Sequence, residues 1–415
     1  MGLLKIFILA VLIIALSIIV YGVFRFYKIK NSEIIDAEFL PKYHSLINSV
    51  VESGILRLSE QNDSFVLAPK VFLPPKPEKV RAIYLSAWSA GRDVKIEEVI
   101  EMAMATEINA VVIDIKDRPG LISYNTDIPE VDKYNAEMAT IRDVQGLLDR
   151  LHSEGIYAIG RIAVFSDSAL ARARPDLAIH KKTDKSSLWL DRAGSAWLDC
   201  SSREVWDYNI ALAKNALFQG FDEINFDYIR FPSDGNLQNM DFPFYDEITP
   251  QSVVMREFFK YIREAMAGSM ISADVFGLTT VNTDDLGIGQ IIESAFEYFD
   301  FVCPMAYPSH YSPGFLEYQN PNEHPYEVIK HCLDIALKRL NNFNQLNGTS
   351  AKLRPWLQDF SLGGVLHDKE MVESEIKAVY DAMSDNFCGF MLWNPRNIYT
   401  IEAFGPEQGD KNPGF

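Results

Sequence analysis

Between residues 82 and 394, short runs rich in β-branched and aromatic residues recur eight times, separated by stretches of helical periodicity. They are AIYLSAW (82–88), AVVIDIK (110–116), AIGRIAVF (158–165), EINFDYIRF (223–231), ISADVFGL (271–278), FDFVCPMAY (299–307), RPWLQDF (354–360) and GFMLWN (389–394). Seven helical patterns lie between them, including IRDVQGLLDRLHSEG, EMVESEIKAVYDAMSDN and SREVWDYNIALAKNALFQG, in which Ser201 and Glu204 have capping-box spacing. Strand and helix in strict alternation is the pattern of a parallel sheet with crossover helices. Eight units predict a closed (β/α)8 TIM barrel over residues 80–401, with its excess length in loops. A doubly wound open sheet has fewer strands and a glycine-rich phosphate turn after the first. Here YLSAW is followed by SAGRD, so no dinucleotide cofactor is expected.

The N-terminus is of another kind. Ile6 to Phe24 is an uncharged run of nineteen residues, about the length a helix needs to cross a hydrocarbon core of roughly 30 Å. No Ala-x-Ala-like site follows Ser17, so residues 1–30 are expected to be an uncleaved transmembrane signal anchor. Residues 31–79 read as a stalk, helical over 31–72, ending in the stiff linker LPPKPEK. Residues 402–415 form a short tail. Lys5 precedes the apolar run and Arg25, Lys28 and Lys30 follow it, so a positive-inside count alone would hold the barrel in the cytosol. With 39 Lys+Arg against 57 Asp+Glu the formal charge is −18 and the basic residues are scattered, which excludes nucleic acid as an expected partner. The four cysteines, Cys200, Cys303, Cys332 and Cys388, show no CxxC or Cys/His spacing and are expected to be free buried thiols, with no metal site.

In a TIM barrel the chemistry sits at the carboxyl ends of the strands. There this sequence carries Asp114, Lys116 and Asp117 (run two), Arg161 (run three), Asn225, Asp227 and Arg230 (run four), and Asp274 (run five). Runs six to eight add Tyr307, Ser309 and His310, then Gln358 and Asp359, then Trp393 and Asn394. By the period-two rule Asn225 shares a face with Asp227, Ser272 with Asp274, and Asp114 with Lys116. An ionised carboxylate facing a barrel interior is costly unless paired, so several strands each supplying one point to a site. Asp114 and Lys116 read either as a structural ion pair or as substrate-binding groups. Arg161 and Arg230 read as partners of the carboxylates or as ligands of substrate oxygens. Asp227 is the leading catalytic candidate and Asp274 the next, while Asp359 could equally cap a turn. Trp88, Tyr228, Tyr307, Tyr311, Trp356 and Trp393 read either as core residues or as faces on which sugar rings stack.

Paired carboxyl groups, one donating a proton and the other attacking or activating water, are what glycoside hydrolysis requires. Rival barrel chemistries fit less well. YLSAWSAGR has no His-x-His for an amidohydrolase metal centre, and LGGV (362–365) reads as an ordinary turn rather than a phosphate loop. Lys116, the one strand lysine suited to a Schiff base, has acidic neighbours that would raise its pKa.

The runs GFDEINFDYIRFP (220–232), VVIDIKD (111–117), PMAYPSHY (304–311) and WLQDF (356–360) resemble the glycoside hydrolase domain found in many bacterial and archaeal proteins of uncharacterised function, a relative of the alpha-amylase-like barrels. The resemblance extends from about Val80 to Thr400 and implies a barrel acting on a carbohydrate substrate, with Asp227 at the position of the strand-four nucleophile. Two positions depart from the amylase-like pattern. Asn225 replaces the arginine two residues before the nucleophile, and Asp274 stands where a general-acid glutamate is usual. The resemblance also implies an extracytoplasmic barrel, since such enzymes meet glycans outside the cell. The resulting expectation is a membrane-tethered glycosidase with Asp227 and Asp274 catalytic. Asp114, Lys116, Arg161, Asn225, Arg230, Tyr307, Trp356, Gln358, Asp359 and Trp393 would bind substrate. Its rival is a catalytically silent barrel that binds a surface polysaccharide through the same cleft.

Overall fold

The computed structural model describes residues 76–406 and, apart from these, two short strands, Arg57–Gln61 and Ser64–Ala68. Those two pair antiparallel, so a hairpin stands where a stalk helix is expected. The apolar run Ile6 to Phe24 lies outside the described residues. Among the described residues no helix is long and apolar enough to cross a membrane.

All eight expected strands form: β1 (Val80–Leu85), β2 (Ala110–Lys116), β3 (Tyr157–Ala163), β4 (Glu223–Asp227), β5 (Ile271–Phe276), β6 (Phe301–Met305), β7 (Trp356–Gln358) and β8 (Gly389–Trp393). Each pairs in parallel with the next, and β8 returns to β1 through Gly389↔Val80 and Met391↔Ala82, closing the barrel. Closure leaves no open sheet edge. A two-residue strand, Lys352–Leu353, also pairs with β6 ahead of β7. Pro355, which has no N–H to give a ladder, lies between the two pieces.

Helices α1 (Asp93–Ala105), α2 (Val144–Ser153), α3 (Arg203–Gln219), α4 (Gln251–Ala265), α5 (Ile292–Tyr298), α6 (Pro325–Asn347) and α7 (Lys369–Met383) fill the seven intervals. Local chemistry fixes their ends. The side chains of Asp143, Ser202 and Asp368 accept from the backbone N–H of Gly146, Val205 and Met371 at the starts of α2, α3 and α7. The α3 cap is therefore Ser202, not Ser201, and Glu204 turns outward to pair with Arg174. Gly220 ends α3 at φ +119°, in the region glycine favours. After β8 the described chain makes only a 3-10 turn, Ile401–Ala403, so seven long helices rather than eight surround the barrel.

The excess length sits mainly on the carboxyl side of the barrel. The segment between β3 and α3 carries a short helix, Ser168–Ala173, and two strands, His180–Lys181 and Asp184–Leu188. Met240–Asp241, between β4 and α4, pairs with the first of these strands, so two loops share one small antiparallel sheet.

Strand alternation sorts the core into two parts. Ile83, Val111, Ile113, Ala158, Ile224 and Leu357 belong to the large cluster between barrel and helices. Ala82, Val112, Ile159, Cys303, Trp356 and Met391 belong to a smaller cluster within the barrel. Toward the amino ends of the strands lies a polar pair: Arg354 and Glu223, both with side chains at 0% exposure, are joined by two hydrogen bonds. The Arg354 guanidinium also lies over the Phe301 ring at 4.2 Å. Removing one member of a buried pair strands the other's charge, at a cost of roughly 3–5 kcal/mol. Glu223→Leu alone should therefore lower the urea midpoint sharply, and adding Arg354→Met should restore much of the loss. A double variant no more stable than the single one would contradict this account.

Candidate active site

The carboxyl ends of β2, β3 and β4 meet at one guanidinium. Arg161 on β3 donates from Nη1 to Asp114 Oδ1 at 2.5 Å, and from Nε and Nη2 to Asp227 Oδ2 at 3.1 and 2.5 Å. Register places it there, because Arg161 stands opposite both Asp114 on β2 and Asn225 on β4. The second Asp114 oxygen accepts from the Tyr84 hydroxyl at 2.6 Å, and the Tyr84 ring stacks on Trp393 with centroids 3.9 Å apart. Burial opposes the Arg161 charge, yet Asp114 and Asp227 raise its pKa above the ordinary value.

Asp227 ends β4. Its other oxygen accepts from the Tyr228 backbone N–H at 2.6 Å, while Tyr228 itself adopts φ +52°. Such a conformation in a bulky aromatic residue is strained and has to be held by its surroundings. On β5, Asp274 is 1% exposed, and its Oδ1 accepts from Asn225 Nδ2 at 2.8 Å and Trp356 Nε1 at 2.7 Å. Burial and the neighbouring Asp227 charge raise its pKa to about 8, against the opposing pull of Arg161, Asn225 and Trp356. Asp274 is thus a neutral acid near pH 7. With Oδ1 occupied by two donors, its proton belongs on Oδ2. An anionic carboxylate and a neutral carboxylic acid on adjacent strands can share the work of nucleophile and proton donor.

Both open into a cleft of about 470 Å³. Arg161, Asp227, Tyr228, Arg230, Asp274, Tyr307, Tyr311, Trp356 and Trp393 line it, together with His310 from the turn after β6. Burial lowers the His310 pKa, and burial with the Asp274 and Asp227 charges raises that of Tyr307. The cleft is about half the size range of a large ligand pocket and walled by aromatic faces with a few polar groups.

Other expected residues lie elsewhere. Lys116 does not share a face with Asp114, because a register shift between them turns it aside. Fully buried, it donates to Asp167 Oδ2 at 2.7 Å and Val164 O at 3.3 Å. It supports the loop after β3 and is not among the residues lining the cleft. Asn225 also lies behind the cleft wall, where it holds Asp274 and Ser272. Gln358 accepts from Ser309 N and donates to Phe360 O, so it fastens loops. Asp359 accepts from the N–H and hydroxyl of Thr400, pinning the end of the barrel chain. Arg230 forms no ion pair with a carboxylate, unlike Arg161; its Nη1 donates to Phe231 O and Ser233 Oγ. Trp88, 63% exposed, does not line the cleft.

The structure also adds residues the sequence did not single out. Tyr84 was legible only as an inward position of β1. Arg118, Asp234 and Phe276 reach the cleft from loops and a strand end, and Arg118 is held by Asp191 and Ser166. No group of three His, Cys, Asp or Glu side chains that could hold a metal ion occurs among the described residues.

Among curated proteins, none matches the chain. Among solved structures, a hypothetical protein from Ruminiclostridium thermocellum is 34% identical over 50% of this chain and 98% of its own, with a TM-score of 0.43. The glycoside hydrolase domain of PgaB (BpsB) from Bordetella bronchiseptica is 12% identical, covers 76% of this chain and 94% of its own, and has a TM-score of 0.53. Alpha-L-fucosidase isoenzyme 2 from Paenibacillus thiaminolyticus is 14% identical over 79% of this chain and 48% of its own, with a TM-score of 0.52. At those identities the last two likenesses concern the barrel alone. The family model described as "Putative glycosyl hydrolase domain" matches residues 82–399, from β1 to the segment after β8, and the chain belongs to that family.

Proposed function

We propose that the protein is a glycoside hydrolase in which Asp227 is the nucleophile and Asp274 the general acid. The observation that carries this reading is the contrast between the two carboxyl groups. Arg161 and the Tyr228 N–H bind the two oxygens of Asp227, while burial and the neighbouring Asp227 charge raise the Asp274 pKa to about 8. Family membership supplies the bond class. In the reaction, Asp227 attacks the anomeric carbon as the bond to the leaving oxygen breaks, and Asp274 Oδ2–H gives that oxygen its proton. Water then attacks the glycosyl ester, Asp274 takes the water's proton, and Asp227 is released.

Two displacements imply retention of anomeric configuration. Asp227 and Asp274 each stand one residue past the paired Phe226↔Ala273, on neighbouring strands that run about 4.8 Å apart. Side-by-side placement suits the separation of roughly 5–5.5 Å used by retaining enzymes rather than the roughly 6.5–9.5 Å of inverting ones. Tyr307, Trp356 and Trp393 provide stacking faces for the sugar beside the pair.

The test is to incubate the full-length protein with a broad panel of polysaccharides and count new reducing ends. Asp227→Asn should reduce release by roughly three orders of magnitude or more. Equal glycan retention by both proteins with no release from either would establish the binding-only reading instead. The acid role carries its own signature. Asp274 acts while protonated, so kcat/KM should fall as pH rises through about 8. Asp274→Asn should abolish that limb and lose activity far more on natural glycosides than on aryl glycosides, whose leaving groups need little protonation. An unchanged alkaline limb in Asp274→Asn would remove it from that role.

The uncharged run from Ile6 to Phe24 supports a single-pass anchor, and the carbohydrate substrate, rather than the flanking charges, favours a barrel outside the cytoplasm. Deleting residues 1–30 should move the protein from the membrane to the soluble fraction. Protease added to intact cells should cleave the full-length chain; full protection would place the barrel inside.

A further inference from the structure

Of the three arginines lining the cleft, Arg230 has no carboxylate partner among the described residues. Arg230 follows β4 by three residues and is 9% exposed, yet it forms no ion pair among the described residues. Aromatic faces surround its guanidinium, with ring centroids of Phe276, Trp197 and Tyr228 at 4.6, 4.9 and 5.4 Å. Two acceptors, Phe231 O at 3.0 Å and Ser233 Oγ at 3.2 Å, take hydrogens of Nη1. The Nε and Nη2 hydrogens have no partner among the described residues, and neither atom is sealed from solvent.

A guanidinium taken out of water is costly unless a counter-charge meets it. Cation–π contacts offset part of that cost and leave the planar fork unused. Arg161 in the same cleft is matched by two carboxylates, and Arg118 by Asp191. Arg118 also faces the Tyr228 ring, at 5.5 Å, so two guanidinium groups approach that ring. The nearby anion on this wall, Asp234, is turned to the Arg192 backbone N–H at 3.0 Å and makes no ion pair with Arg230. Free Nε and Nη2 on one edge form the fork that binds two oxygens of a carboxylate or phosphate in parallel.

We infer that Arg230 is the anchor of a subsite for an acidic sugar residue, one bearing a carboxylate or a phosphate ester, beside the Asp227–Asp274 pair. The inference rests on the glycosidase reading for its placement in a reaction, but the recognition it describes does not need turnover. With a formal charge of −18 the protein repels polyanions at long range. Recognition of an acidic group must therefore be local, within the cleft, where bulk screening is weak.

Binding to the full-length protein in detergent separates the possibilities. Glucuronate, galacturonate and mannuronate are each compared with the matching neutral hexose and its 6-phosphate, by calorimetry or ligand-observed NMR. The wild type should bind at least one acidic sugar tenfold or more tightly than its neutral counterpart; the uronate and phosphate series show which anion fits. Arg230→Gln should bring acidic and neutral sugars to within about twofold of each other. Arg230→Lys, which keeps the charge without the fork, should retain only part of the preference. Equal binding of acidic and neutral sugars by the wild type overturns the inference without recourse to any variant, as does a preference that survives in a folded Arg230→Gln protein. Reducing-end release confined to neutral glycans would sink this inference and leave the glycosidase standing. An Arg230-dependent acidic preference with no release from any glycan would do the reverse.

Discussion

Arg161 is the group on which the upper half of the barrel is built. It reaches Asp114 on β2 and Asp227 on β4 from the strand between them, so one side chain ties three neighbouring strands at their carboxyl ends. None of these three groups would be tolerable there alone, because a single buried charge costs far more than any packing gain it brings. Burial raises the pKa of Asp114 itself, against the pull of Arg161 and the Tyr84 hydroxyl. For Asp274, burial and then the Asp227 charge beside it raise the pKa to about 8. The two carboxyl groups differ in their partners: Asp227 shares the Arg161 guanidinium with Asp114, while Asp274 accepts from the neutral donors Asn225 and Trp356.

The barrel interior changes character along its axis for the same reason. Toward the amino ends Glu223 and Arg354 neutralise one another in full burial, with Tyr157 donating to Glu223 at 3.4 Å. Above them lies an apolar layer that includes Ala82, Val112, Ile159, Cys303 and Met391. Only at the carboxyl ends do charges accumulate beyond what pairing can neutralise, and there the cleft opens. The lower pair is closed and serves stability; the upper cluster is open on one side and serves chemistry. Both use an arginine and carboxylates, so residue type alone does not distinguish them. Completeness of pairing and access to the cleft do.

The barrel was legible because alternation survives in sequence. Eight apolar runs and seven periodic stretches correspond to eight strands and seven helices, and inward positions spaced by two residues correctly grouped Asn225 with Asp227 and Ser272 with Asp274. The same rule failed between Asp114 and Lys116, where a register shift turned Lys116 toward Asp167. A bulge of this kind changes the facing of every later residue and leaves no mark in composition. The contacts of Gln358 and Asp359 were hidden for a different reason. Both residues do stand at a strand end, but their partners, Ser309, Phe360 and Thr400, are mostly loop atoms whose approach no periodicity encodes. Arg118, Asp191 and Trp197 illustrate the same limit, since loops after β2 and β3 meet only through the fold.

Tyr228 links the Asp227–Asp274 pair to the arginine wall. At φ +52° the chain leaves β4 sharply, so the Tyr228 N–H turns back to Asp227 Oδ1 while its ring meets the guanidinium groups of Arg118 and Arg230. A β-region residue at this position would continue the strand and lose that geometry. The strain of a positive φ is therefore balanced by a charge-assisted hydrogen bond on one side and two cation–π contacts on the other. Glycine would adopt the backbone without strain but would forfeit the ring, and with it the contact between the arginines and the strand end. Electrostatics and backbone geometry at this one residue therefore specify each other: the second Asp227 oxygen is held by the same turn that presents an aromatic face to Arg230.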